Sequence, residues 1–313
     1  MSKKEGELKQ ILPWRGRCVI LRKTDLHETW GKEKMIYLLL SILCGSMVSM
    51  VMRISEGRIQ SKTGMVAMNY LTCLTVAGCL MGFGNVLPDH PLTGRTLGMG
   101  TVNGIFYMAG LLMMQYNIPR NGVVMPSVFS RMGGLLVPLA VAILFFGEVP
   151  TVMQIVGSLL AIAAILILNY QKDAGNIGDK KALILLFIAD GLAGIMAKVF
   201  SEIGSTELSP NFLFFTFTSA FIFCSMIVLM KKERPGLREV GFGMLVGVPN
   251  FMGARFVLKA LETIPAVIVY PTRSVSTIVV ITLAGVLFFK EKLSRRQLLA
   301  MGIILAALIL LNV

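Results

Sequence analysis

Ten apolar stretches, each close to the length needed to cross a bilayer, follow one another along this chain with short polar joints between them. They occupy residues 35–52, 64–83, 97–116, 122–146, 152–170, 182–201, 211–230, 240–260, 265–289 and 297–312. A helix rises about 1.5 Å per residue, so roughly 20 apolar residues cover a hydrocarbon layer of about 30 Å. At that depth the backbone has no water to bond to, and a helix satisfies its own backbone groups. The chain is therefore expected to be an all-α integral membrane protein with ten transmembrane helices. Only 15% of its 313 residues are charged, against about a quarter in soluble domains.

Lys and Arg number 30 against 17 Asp and Glu, a net charge of +13. A basic excess often signals nucleic acid, but here it sits in the joints and in residues 1–34, which hold nine Lys and Arg. That is where membrane topology places positive charge, and no nucleic-acid partner is expected. The five cysteines (Cys18, Cys44, Cys73, Cys79, Cys224) form no CxxC pair and only two histidines accompany them. Neither a metal site nor a disulfide framework is expected, and no cofactor. No apolar core with a small-residue cleavage site follows the basic N-terminus, so no secretory signal is read there. GxxxxGK[ST], HExxH and GxSxG are absent, so neither ATP drive nor an enzyme is expected. Gly98-Met-Gly100 opens like a dinucleotide fingerprint but lies inside an apolar run with no strand before it.

The chain repeats itself. A shift of 143 residues lays Leu144-Phe145-Phe146-Gly147-Glu148 on Leu287-Phe288-Phe289-Lys290-Glu291. It also pairs Gln154 with Gln297, Asn169 with Asn312, and Gly100-xxx-Gly104 with Gly243-xxx-Gly247. Pro126 and Pro271 correspond after a two-residue slip. Apolar runs match by chance, so the polar matches carry the argument. The division expected is a basic extension (1–34), a first five-helix repeat (35–170), a polar linker (171–181) and a second five-helix repeat (182–313). Two consecutive copies with an odd number of spans must be inverted relative to each other. Joint charges agree: Arg53, Arg58 and Lys62 lie between spans one and two, whereas the equivalent joint after span six has no Lys or Arg. The joint after span four has none, whereas its equivalent after span nine has Lys290, Lys292, Arg295 and Arg296. Positive-inside applied to the joints puts both termini outside; applied to residues 1–34 it puts them in the cytoplasm. The two signals oppose each other. Leu8 to Lys23 is also a candidate for a short basic surface helix, weakened by Pro13 and Gly16.

Leu144 to Gly157 (LFFGEVPTVMQIVG) and, more loosely, Leu287 to Gly302 (LFFKEKLSRRQLLAMG), set in a duplicated five-plus-five chain, resemble the EamA-type transporters of the drug/metabolite transporter superfamily. The resemblance covers about residues 35–312. It implies a small-molecule carrier and a glutamate closing the fourth span of each repeat, which Glu148 and Glu291 match. The family includes exporters of amino acids and other metabolites. The extension and the arginines inside spans four and nine depart from its pattern.

Ionisable residues inside spans usually face a partner or a watery cavity. Arg131 and Arg273 occupy nearly equivalent places in spans four and nine. Inverted repeats bring such places together near the midplane, where transporter sites lie. Two guanidiniums there would favour a carboxylate or phosphate; the competing readings are that each pairs with a carboxylate or carbonyls and only joins helices, or that it snorkels to an interface. Arg255, Asn250, Asn103 and Tyr107, with Gln115, are candidates to line the same cavity or to bond helix to helix. Asp190 is the one carboxylate deep in a span, a candidate proton-coupling group or a fixed counter-ion for Arg131 or Arg273. Lys198 lies nearer a span end. Glu148 and Glu291 are read as caps for the helix that follows each, with gating or binding as the alternative, and Gly100, Gly104, Gly243 and Gly247 as close-packing positions, with a rocking hinge as theirs.

The function expected is secondary active transport of a small metabolite, anionic or amino-acid-like, across the cell membrane by alternating access. Proton coupling is an option, and so is either a monomer or a homodimer. Two alternatives stand beside it: translocation of a lipid-linked or amphipathic solute, and a non-transporting receptor or scaffold.

Overall fold

The computed structural model describes residues 23–121, 124–169, 179–289 and 294–312. Ten α-helices lie among them: α1 (Lys23–Ser55), α2 (Lys62–Met81), α3 (Thr93–Asn121), α4 (Val124–Phe146), α5 (Val152–Asn169), α6 (Lys180–Ile203), α7 (Ser209–Met230), α8 (Leu237–Leu261), α9 (Ala266–Phe289) and α10 (Arg295–Leu311). Short 3-10 turns at Phe83–Asn85 and Thr206–Leu208 introduce the loops before α3 and α7, and no strand occurs among the described residues. Eight helices are long and apolar enough to cross a membrane; α5 and α10, with 18 and 17 residues, are the short ones. The chain is a multi-pass membrane protein. Leu144, Phe145, Leu159, Leu229 and Leu287 lie outward on the bundle surface, as side chains bathed in lipid do.

The helix borders differ from the apolar runs at two places. Among the described residues α1 is already helical from Lys23, ahead of Met35; residues 23–34 contain no proline and several good helix formers. α3 extends past its apolar stretch at both ends, since hydropathy marks the depth of lipid and not the end of a helix. The expected surface helix at Leu8 to Lys23 lies outside the described residues apart from its last position.

Packing follows an exchange rule. α3 packs on α6 and α7, while α8 packs on α1 and α2; α4 packs on α6, while α9 packs on α1. Swapping helices one to five for six to ten reproduces each pairing. α2 with α7, α4 with α9 and α5 with α10 are the contacts that map onto themselves. The seams repeat in atomic detail. A Cβ on Gly100 would stand 2.8 Å from the Phe212 carbonyl, and one on Gly243 would stand 2.8 Å from the Met65 carbonyl. Gly104 and Gly247 lie one turn further along, against the Thr216 and Asn69 carbonyls. Close approach of backbones is what small residues provide between membrane helices. The aromatic core lies where these seams meet: Phe212 stacks on Phe200 at 4.3 Å, and Phe217 touches Tyr70, Tyr107 and Phe251.

Helix starts explain the recurring glutamine. Thr151 Oγ1 accepts from the Gln154 amide at 3.2 Å, and the Thr151 amide donates to Gln154 Oε1 at 3.1 Å. Ser294 and Gln297 do the same at the start of α10, at 3.2 and 2.8 Å. Both are capping boxes, so the two glutamines recur because both helices need the same first turn.

Candidate functional site

Mid-helix on α9, Arg273 points its guanidinium towards α1: Nη2 lies 3.6 Å from where a Gly45 side chain would begin. Tyr107 of α3, Tyr270 and Cys44 are its electrostatic neighbours. No carboxylate pairs with it among the described residues, and its buried Nε has no hydrogen-bond partner. Tyr270, one turn earlier, donates its hydroxyl to the Gly194 carbonyl of α6 at 2.8 Å.

The corresponding cluster in the other half carries a negative charge, on a different helix. Asp190 of α6 lays its carboxylate on Gly110 of α3, in the space a side chain there would take, and accepts a hydrogen bond from Ser130 of α4. Gly253 of α8 meets Cys44 in the same manner, at 3.2 Å from its Cβ. Gly110 and Gly253 are equivalent under the 143-residue shift, as are Ser130 and Arg273. Asp190-Gly191 thus stands where Cys44-Gly45 stands across the exchange, and a Ser–Asp pair on one side faces an Arg–Cys pair on the other. Tyr107 is within electrostatic range of both Arg273 and Asp190. Cys44, Gly45, Ser130 and Gly110 carry no chemistry that sequence alone would single out; only the packing shows their equivalence.

Arg131 is one residue along from the counterpart of Arg273. One residue turns the side chain by about 100° around a helix, so Ser130, not Arg131, takes the inward place against Asp190. Neither Arg131 nor Arg255 has an ion-pair partner among the described residues, and both are half-buried. Asn103 donates to Thr216 at 3.2 Å across the α3–α7 seam, and Asn250 donates to Asn69 at 3.2 Å across the α8–α2 seam. These two amides are joined to neighbouring helices, while the Oδ1 of Asn103 is buried without a partner. The side chain of Gln115 and all of Glu291 lie outside the described residues.

Glu148 caps a helix, but not the one that follows it. Its two carboxylate oxygens accept the Ala266 and Val267 amides, the first turn of α9, at 2.9 and 3.0 Å. α5 is capped by its own Thr151, which leaves Glu148 free to reach across. Gly147, at φ 67°, supplies the left-handed turn that aims it. Lys198 of α6 stands 2.7 Å from Glu148 Oε1 with only 3% of its side chain exposed. It also pairs with Glu202 one turn on and lies over the Phe146 ring. Burial alone would raise the Glu148 pKa; the Lys198 bond and the two amides outweigh it and hold the carboxyl below its ordinary range.

The described residues contain no cluster of His, Cys, Asp and Glu able to hold a metal ion. Chemically, the centre of the bundle offers a forked cation, a carboxylate bonded to a serine hydroxyl, and phenol groups.

Comparison with known proteins completes the picture. An uncharacterized protein of Haemophilus influenzae is 24% identical over 280 residues, covering 87% of this chain and 95% of that protein. A crystal structure of another protein superposes with a TM-score of 0.68 at 14% identity, over 89% of this chain and 96% of that one; it shares the fold. Residues 180–313 match the EamA-like transporter family. The match takes in somewhat less than half of the chain, and the matched family is part of the drug/metabolite transporter superfamily.

Proposed function

We propose that this chain is a secondary active transporter of a small metabolite bearing a carboxylate or phosphate, amino-acid-like solutes included, working by alternating access in the plasma membrane. Its ten helices are read as transmembrane spans in two inverted five-helix copies, 35–170 and 182–313, joined by 171–181. The paired seams and the exchange rule support that reading. So does the charge of the joints.

One observation carries the substrate class: Arg273, deep in α9, has no carboxylate beside it and a buried Nε without a partner. An uncompensated charge inside a protein costs several kcal/mol, and a guanidinium presents forked donors that fit a carboxylate or phosphate. A bound anion would supply the missing partner. Asp190 favours a second group on the substrate, or a coupled proton, since this carboxylate also stands without a cation among the described residues. Monomer and homodimer both fit, because a duplicated chain already holds both halves of the site.

Purified protein in liposomes would be offered labelled carboxylates, phosphate esters, amino acids and organic cations, with and without a pH gradient. Uptake of an anion or amino acid by the parent, reduced at least tenfold in Arg273→Gln with folding kept, is expected. Uptake of a cation alone, unchanged by Arg273→Gln, would overturn the proposal.

A further inference from the structure

Lys198 is a buried lysine on α6 with two carboxylates in reach, and they belong to different parts of the bundle. Glu148 sits in the turn after α4 and is bonded to the start of α9; Glu202 is on α6 itself. The side chains are 14% and 40% exposed respectively, so the inner partner is the sheltered one. Tyr270 to Gly194 is a direct bond from α9 to α6, one turn before Lys198. The charges are arranged so that the inner contact can part without orphaning either. If the end of α6 moves away from the α4–α9 junction, Lys198 keeps Glu202. Glu148 keeps two amides and the positive end of α9. Parting a buried ion pair is costly when it leaves a bare charge behind; here each charge keeps a partner when the two separate.

We propose that Lys198 is the moving part of a latch: its bond to Glu148 closes the bundle where α4 ends and α9 begins, and retreat onto Glu202 opens that end. The proposal rests on the alternating-access reading. The two nearby carboxylates have opposite effects in it. Without Lys198 the closed state loses its bond. Without Glu202 the open state loses its only partner for Lys198, so closure is favoured.

Spin labels at Val149 (90% exposed) and Glu207, each replaced by cysteine in a protein with Cys18→Ser and Cys79→Ser, report the gap in liposomes by pulsed electron resonance. Lys198→Gln is expected to move population to longer distances. Glu202→Gln is expected to move it to shorter ones, by about twofold in the ratio, the size of one i,i+4 helical ion pair. Glu202 is partly exposed, so its variant keeps the test open if Lys198→Gln does not fold. Lengthening by Glu202→Gln, or no change, would overturn the latch, since a merely structural network loosens whichever member is removed. No substrate is needed: opposite shifts in a protein that transports nothing would keep the latch and remove the transport reading, and transport with like shifts would do the reverse.

Discussion

Asp190 seats its carboxylate in the space that Gly110 leaves open on α3. This contact makes the acidic side of the bundle centre dependent on a residue with no side chain. Gly110→Ala puts a methyl group on the carboxylate itself, whereas Gly253→Ala, at the equivalent place on α8, meets Cys44 Cβ at 3.2 Å. Gly110→Ala is expected to lower uptake about tenfold or more, and Gly253→Ala much less; small-to-large changes in tight packing cost about 1–3 kcal/mol. Equal losses in liposome uptake would show that the Asp190 contact has no special role.

The fork of Arg273 should matter as well as its charge. Arg273→Lys keeps a cation but loses planar two-point bonding. Uptake should survive with an apparent affinity reduced by about tenfold, one charged hydrogen bond's worth, while Arg273→Gln abolishes it. A lysine variant indistinguishable from the parent in a concentration series would mean that charge alone is read.

Acid should loosen the junction of α4, α6 and α9. The Glu148 carboxyl is held below its ordinary value, so its stabilisation is complete above the unfolded pKa, about 4.3, and fades as pH falls through the lowered folded value. Melting temperature should decline on acidification below about pH 5 in the parent. In Glu148→Gln it should start lower at neutral pH and decline less. Parallel curves for the two proteins would contradict this.

Glycines in the seams and glycines on the surface should respond oppositely. Gly104 abuts the Thr216 carbonyl, whereas Gly98 has nothing within 4 Å of an added Cβ. Gly104→Ala should destabilise by about 1–3 kcal/mol. Gly98→Ala should be neutral or stabilise by up to about 1 kcal/mol through helix propensity. Unfolding in a mild denaturing detergent would show both.

Most of the architecture was legible from hydropathy and register. α4, α7 and α9 fall within two residues of their apolar runs, and the recurrence of Gly100 and Gly243 marked seams that the packing reproduces. Gln154 and Gln297 were visible as a repeat, though their role as capping partners required the turn geometry. Glu148 shows the boundary of such reading. Its residue type announced a cap, but a cap's target is set by which helix start lies nearest in space, and proximity to Ala266 is a tertiary fact. Arg131 and Arg273 looked equivalent because a one-residue offset is small in sequence and large in angle. Cys44 carried no signal at all, since its importance lies in standing opposite Asp190.

The amides that Glu148 caps are 118 and 119 residues further along the chain. A ribosome makes the cap first and the helix it serves much later. Glu148 and Lys198 both precede α9 in the chain, so both are synthesised before the helix whose start the carboxylate meets. Fragments cut in the 171–181 linker should accordingly reunite when produced together, whereas the later fragment made alone would enter the bilayer with the start of α9 uncapped.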